Sequence, residues 1–375
     1  MRVALRSVWA VILTGGLVQL ANGLQTDLLG VRAGIEKFPA FAVGLIMAGY
    51  YVGYSAGPLV SPLVIRALGH VRTIWIAMIV AAVSIALHGF FVSPVAWTLL
   101  RVMSGLAISV NFVAVESWIN DRSENRVRGR IFAIYMVWQM VAMTIAQFML
   151  TTGDPSTMSL FLLSAALFIV SAIPVLALHR GGVIHAPPEP FSLHALFRIA
   201  PLGVLATILS GVSWAVVFTF GPVYAQREGF TLSQIGFFMG VAMVTGALVQ
   251  FPLGWISDHI GRRLTMGLIC AAGALASLFG VWAQTQGIVM LDISSALIGA
   301  MVFPLYGIAV AHANDAALPS QRVAAAAGLV LVFGLGSIAG PLMTGWAVSA
   351  FGSVAYFWVL AGVMGASVTA ALVAR

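Results

Sequence analysis

Apolar runs of about 20 residues recur from one end of the chain to the other, and that is the length an α-helix needs to cross the hydrocarbon core of a bilayer. A hydropathy window of about 19 residues places them at 8–30, 41–64, 73–92, 95–117, 131–151, 159–178, 203–225, 232–256, 264–284, 287–310, 325–349 and 354–374. Twelve such runs predict an all-α membrane protein. The 375 residues are 61% apolar and only 8% charged, where a soluble domain carries roughly 25%, so a soluble fold is excluded. The alternating segments of about 10 residues that build a membrane β-barrel are absent. Prolines inside the runs, such as Pro62, Pro174, Pro222 and Pro304, are tolerable because neighbouring helices re-satisfy the freed backbone groups.

The formal charge of +7 and a pI near 10.2 would suggest nucleic acid on a soluble chain. In a membrane protein they report topology. With the N-terminus inside, Arg2, Arg6, Arg66, Arg72, Arg122, Arg126, Arg128, Arg130, Arg180, Arg198, Arg262, Arg263, Arg322 and Arg375 fall in cytoplasmic segments, and only Arg32, Lys37 and Arg227 in outside loops. Fourteen against three, with Arg101 inside a span, is a strong positive-inside bias. Both termini are expected in the cytoplasm, in the inner (plasma) membrane, with no nucleic-acid partner. The first run extends to Gly30, longer than the core of a cleaved signal, and is expected to remain as span one. The sole cysteine, Cys270, lies in an apolar run and can form no intrachain disulfide.

The longest non-apolar stretch lies between spans six and seven and contains Pro187, Pro188 and Pro190. Prolines predict an extended connection there rather than a packed helix. The expected organisation is an N-terminal six-helix bundle (1–180), a cytoplasmic linker (181–198) and a C-terminal six-helix bundle (199–375).

After span eight the chain reads Gly254-Trp-Ile-Ser-Asp258-His-Ile-Gly261-Arg262-Arg263. Gly254 suits close helix approach, Gly261 a tight turn, and Asp258 can accept charge-assisted bonds from guanidinium groups. The pattern resembles the cytoplasmic signature of the major facilitator superfamily, GxLxDrxGrR. Aligning Gly69 with Gly261 gives an offset of 192 between the halves. On that register Pro62 replaces the glycine, Arg66 replaces the aspartate, and the second basic residue falls one place late at Arg72. The first copy is degenerate.

Span four contains Arg101-Val-Met-Ser104-Gly105, similar to the family's RxxxG motif, which the resemblance links to proton coupling. At 1.5 Å per residue Arg101 lies roughly 10 Å below the outer boundary, too deep to be cheap without a partner or water. Asp27 in span one has a similar depth and is the candidate partner. Asp292, next to the position that the offset assigns to Arg101, is a second acidic candidate. Span eleven carries Gly336-Ser-Ile-Ala-Gly340-Pro341, which suits close packing of helices. Span five lacks the GxxxGP pattern of proton-driven drug exporters, which weakens that assignment. Glu116-Ser-Trp118-Ile-Asn120 with Arg128-Gly-Arg130, and Tyr306 through His312-Ala-Asn314-Asp315, resemble the YcaD-like branch of the superfamily. There Glu116 and Asp315 are expected to pair with loop arginines at an inner gate.

The resemblance implies the major facilitator fold, two pseudo-symmetric six-helix bundles, and a transporter working by alternating access. A P-loop, GxxxxGK[ST], is absent, so the driving force is an ion gradient or the solute's own. Expected cavity residues are Asn22, Gln25 and Asp27 from span one, Arg101 and Asn111 from span four, Trp138 and Gln139 from span five, Trp214 and Phe218 from span seven, and Tyr306 from span ten. Aromatic and amide groups together suit an anionic or amphipathic small molecule. A proton-coupled monomer moving such a solute is the leading expectation, with an exporting proton antiporter, an uncoupled uniporter or a membrane solute receptor as alternatives. The seven histidines are scattered among loops and span ends, so neither an enzyme site nor a metal or other cofactor is expected.

Overall fold

The computed structural model describes residues 2–123, 125–177, 193–316 and 322–373, and every regular element among them is helical. The helices are α1 (Arg2–Ile35), α2 (Ala40–Leu68), α3 (His70–Phe90), α4 (Pro94–Arg122), α5 (Asn125–Met149), α6 (Ser159–Ala172), α7 (Leu193–Ile199), α8 (Pro201–Ala215), α9 (Gly221–Arg227), α10 (Leu232–Ile260), α11 (Arg262–Ala283), α12 (Ile288–Ala316), α13 (Arg322–Phe351) and α14 (Ala355–Val373). Eleven spans are long and apolar enough to cross a bilayer, with α8 and α9 forming one of them, and the apolar α14 supplies the twelfth.

Several helices outrun their apolar segments. α4 continues to Arg122 and α12 to Ala316, because backbone bonding does not stop where the hydrocarbon does. A 29-residue helix is about 44 Å long, more than the roughly 30 Å of hydrocarbon. The ends are set by local chemistry instead. Ser93 caps α4 by accepting from the Ala96 amide at 3.2 Å, with Pro94 at its first position, and Thr231 and Gln234 form a reciprocal capping box on α10, each satisfying amides that the helix leaves unpaired.

The chain separates into two compact units, Met1–Lys37 with Gly49–Pro187, and Phe38–Ala48 with Pro188–Arg375. α2 is thus divided, and its first residues belong to the second unit. There the Phe41 amide donates to Ser349 Oγ at 2.9 Å, and Gly44 lies against the backbone of Pro341 and Gly345 on α13.

Each unit repeats the same pairings. In the first, α1 packs on α5 and α6, and α3 on α4 and α6; in the second, α8 packs on α13 and α14, and α11 on α12 and α14. The offset of 192 holds in detail at the turns that precede α3 and α11. Gly69 and Gly261 take positive φ values of 74° and 94°, where a Cβ is strained, and Thr73 and Thr265 each return a hydroxyl bond to that glycine's carbonyl, at 2.8 and 3.0 Å. A Cβ on Gly105 of α4 would collide with the Tyr50 carbonyl of α2, as one on Gly299 of α12 would with the Ala242 carbonyl of α10. Gly336 and Gly340 of α13 meet the Ile208 and Val212 carbonyls in the same way, the close packing expected of span eleven.

One local expectation fails. The segment expected to be an extended linker to residue 198 ends in a helix, α7, whose Leu196 is buried with Ala200, Val204, Ala313, Ala325 and Leu329. Burial of Leu196 stabilises that short helix; Pro187, Pro188 and Pro190 lie outside the described residues. Span seven is interrupted near the Pro222 that the sequence places inside it. Val216–Phe220 widen into a π-helical turn ahead of Gly221-Pro222, which accommodates a proline that has no amide to donate and whose ring would crowd the preceding turn.

Candidate functional site

A cluster of buried polar residues of the first unit surrounds Arg101. Gly49, Gly53 and Gly105 let α2 and α4 approach backbone to backbone, and this brings Tyr50 and Tyr51 beside the Arg101 side chain. The guanidinium carbon lies 4.5 Å from the centroid of the Tyr50 ring, a cation–π contact. Asn22 Nδ2 of α1 donates to Tyr50 Oη at 3.3 Å, and Gln25 Nε2 donates to Ser104 Oγ at 3.2 Å, one turn from Arg101 on α4. Tyr54 stacks on Tyr50 at 5.8 Å.

Arg101 is 0% exposed, so it does not snorkel to the surface, and its Nε and both terminal nitrogens lack a hydrogen-bond acceptor. Asn22 Oδ1, Gln25 Oε1, Tyr51 Oη and both polar atoms of Asn111, further along α4, are buried and unpartnered as well. Donors and acceptors left open in this way cost several kcal/mol together. The cluster thus holds open donors and acceptors around one buried positive charge.

Asp27 is not its partner. The carboxylate is buried, and neither oxygen accepts a hydrogen bond. Gln25 faces α4, and two residues on a helix turn the side chain by about 200°. Asp27 instead shares a face with Gly23, which packs on Ala146 of α5. Similar depth did not imply a shared face.

The other candidates divide between the units. Trp138 lies over Gly16 of α1 and donates from Nε1 to the Leu13 carbonyl at 3.4 Å, while Gln139 reaches only Met136 Sδ, at 3.8 Å. In the second unit Trp214 meets Phe303 edge-on at 4.6 Å and Phe333 at 6.3 Å, and Tyr306 meets Phe333 at 4.7 Å. Phe218 is buried in the π-helical turn. Asp292 lies in the first turns of α12, half-buried, with Oδ1 unpartnered.

At the turn between α10 and α11 Arg262 joins two carboxylates. Its NH2 lies 3.1 Å from Asp258 Oδ1, and its Nε pairs with Asp315 Oδ2. Arg263 Nε donates to the Ala371 carbonyl at 2.6 Å, tying α11 to α14. Gly261 makes the turn as expected, but Gly254 does not make a close helix approach, since a Cβ there would meet open space. Of the two expected gate carboxylates only Asp315 holds an arginine. Glu116 has no ion-pair partner among the described residues; Arg122, a turn and a half further along α4, lies over the Trp118 ring at 5.1 Å. The side chain of Arg128 lies outside the described residues.

Tyr50 and Tyr51 were not legible as site residues, because within an apolar run a tyrosine looks like packing. The signal that marks them is the row of small residues at Gly49, Gly53 and Gly57, which forces their helix against α4.

Comparison with known proteins decides the family. The Major Facilitator Superfamily profile matches residues 10–331 and, in a second match, 203–375. The chain belongs to the major facilitator superfamily. Among its relatives, an MFS-type transporter of Enterobacter sp. (strain 638) is 27% identical over 353 residues, 92% of this chain and 90% of the relative. The MFS-type transporter YcaD of Escherichia coli (strain UTI89 / UPEC) is 26% identical over 352 residues, again 92% and 90% of the two chains. The fold is shared with the nucleoside transporter NupG, at a TM-score of 0.80 and 17% identity over 97% of this chain and 97% of that one. A bacterial homolog of the human lysosomal transporter Spinster, inward-facing and occupied, superposes with a TM-score of 0.77 at 16% identity, covering 98% and 94%. Membership makes this chain a multi-pass membrane protein of a transporter family.

Proposed function

We propose that this chain is a secondary active transporter that moves a small organic anion across the inner (plasma) membrane by alternating access, with Arg101 holding the anionic group. The single observation that supports this reading is a fully buried guanidinium without an acceptor. An unpaired charge at that depth is expensive, and a solute that neutralises it recovers the cost only while bound. Asn22, Gln25 and Asn111 offer amide donors and acceptors for the rest of the solute, while Trp214, Phe218 and Tyr306, with Trp138 and Gln139, form the less polar lining. The working unit is a monomer of two six-helix bundles (1–180 and 199–375) joined by a cytoplasmic linker (181–198), with both termini in the cytoplasm. Asp258, Gly261, Arg262, Arg263 and Asp315 latch the second half on the inner side, Gly254 precedes that turn, and Glu116 faces the same mouth.

Transport is coupled to protons, with Asp27 as the carrier and Asp292 as a second acidic group. Asp27 acts here without touching Arg101: a buried carboxylate with no hydrogen-bond donor is costly when ionised, so its proton occupancy differs between states that bury it and states that wet it. The second reading is an uncoupled uniporter, and the separation of Asp27 from Arg101 favours it.

Counterflow and pH-gradient-driven uptake in proteoliposomes, with a panel of monocarboxylates and their amides, test the proposal. Uptake of an acid but not its amide is expected, as is loss of concentrative uptake in Asp27→Asn with exchange retained. Equal transport of acid and amide overturns the anion assignment. Accumulation by Asp27→Asn under an imposed pH gradient overturns the proton carrier, and binding without flux identifies a receptor.

A further inference from the structure

Two kinds of atom are left open around Arg101, and the hydrogen bonds decide which is which. Ser104 Oγ donates to the Arg101 carbonyl at 3.1 Å. A hydroxyl has a single hydrogen to give, so in its contact with Gln25 at 3.2 Å Ser104 can only accept. The Gln25 amide must therefore turn Nε2 to Ser104, and the atom it leaves buried without a partner is Oε1, an acceptor. Asn22 repeats the pattern: Nδ2 donates to Tyr50 Oη at 3.3 Å, and Oδ1 stays open. Both side chains are buried.

The open donors belong to Arg101, whose Nε and both terminal nitrogens lack an acceptor. Ser104 is three residues along α4, on the same face and about 5–6 Å away at Cβ. Gln25 is held to Ser104, so its open oxygen lies about one helical turn from the guanidinium. Charged donors thus adjoin neutral acceptors. The guanidinium takes an anionic oxygen, and the acceptors call for a hydrogen-bond donor on the same molecule. That donor must be uncharged. The ionisable side chains acting on Arg101 are Tyr50 and Tyr51, and among the described residues no carboxylate pairs with it. An ammonium group placed there would meet a buried guanidinium with nothing to offset the repulsion.

We infer that the solute is a hydroxy acid, its carboxylate on Arg101 and a hydroxyl on the second or third carbon donating to Gln25 Oε1, with Asn22 Oδ1 open to a further hydroxyl. This rests on the reading of Arg101 as an anion site. A plain carboxylate satisfies the guanidinium but leaves Gln25 Oε1 buried and unpaired, and a site that must leave a polar group unpaired rejects the analogue lacking the hydroxyl. An ether in the hydroxyl's place sets a second acceptor against Oε1, and an amino acid brings a second cation. Ser104 is a positioning residue: it fixes which end of the Gln25 amide faces the solute.

Counterflow by the full chain in proteoliposomes tests this with two matched pairs, lactate against propionate and 3-hydroxybutyrate against butyrate, and with 2-methoxypropionate, alanine and lactamide as controls. In at least one pair kcat/KM for the hydroxy acid should exceed that for the plain acid by roughly ten- to a hundredfold, with 2-methoxypropionate and alanine no better than propionate. Gln25→Met, similar in length but without the acceptor, should bring that ratio to within about threefold of one. Ser104→Ala, which frees the amide to turn, should lower it as well, and melting temperatures in detergent establish that both variants are folded. Plain acids carried as well as their hydroxy partners, a ratio unchanged in Gln25→Met, or a preference for alanine each overturns the hydroxy-acid assignment and leaves the anion reading standing. Equal transport of lactate and lactamide, or no flux of any of the four acids, overturns the anion reading and this inference with it.

Discussion

The two halves share a scaffold and differ in what they bury. In the first, the crossing of α2 and α4 at Gly105 encloses Arg101, Tyr50, Asn22 and Gln25. In the second, the matching crossing of α10 and α12 at Gly299 adjoins Phe303, Trp214 and Phe333. The backbone contacts were kept because a helix pair packed carbonyl against glycine has no room for change. Side chains that point away from the crossing carry no such constraint. The inner turns repeat the lesson in reverse: Gly69 and Gly261, with Thr73 and Thr265, are alike, while the carboxylate network exists only around Arg262. The buried unpaired guanidinium lies in one half and the arginine–carboxylate network in the other.

The sharpest way to break this division is to remove its two unlike centres. Arg101→Ala should lower kcat/KM for uptake about a hundredfold, the loss expected for charge-assisted hydrogen bonds to a buried anion. Trp214→Ala should cost only a few-fold in the same assay. Comparable losses would mean that recognition is not concentrated in the first half.

The shared scaffold predicts the opposite, equal effects. Gly105→Ala and Gly299→Ala each push a Cβ into a carbonyl of the facing helix and should each destabilise the protein by about 1–3 kcal/mol, read as similar drops in the melting temperature in detergent. If one is silent, the crossings are not equivalent.

The smallest expected effect concerns the inner turns. Asp258→Asn removes one of the two carboxylates on Arg262 and should reduce transport several-fold, whereas Arg66→Ala should change it less than twofold, as exposed charges contribute little. Equal losses measured in proteoliposomes would remove the asymmetry between the copies.

Much of the latch was legible in the chain. Gly261 had to turn and Asp258 had to meet a guanidinium, which follow from residue type and local spacing, while the Asp315 pairing was implied by the resemblance to the YcaD-like branch. The partner of Arg101 was not. Asp27 shares its depth with Arg101, and depth is what hydropathy measures along an axis. Rotation about that axis is set by packing, and Asp27 lies one turn from Gly23, which packs on Ala146 of α5. Gly254 misled for a related reason, since a glycine permits close approach without causing it.

By itself the sequence determined the number of spans, their membership in two repeated halves, the inner turns and the burial of an arginine in span four. Those follow from apolar length, from the offset of 192 and from the backbone freedom of glycine, all of which are local or periodic. The tertiary structure alone decided which polar groups meet: Tyr50 beneath Arg101, Gln25 on Ser104, and Asp27 turned aside. Those outcomes depend on the rotational phase of each helix against neighbours far away in the chain, and side chains on three packed helices must agree on it together before any one of them has a partner.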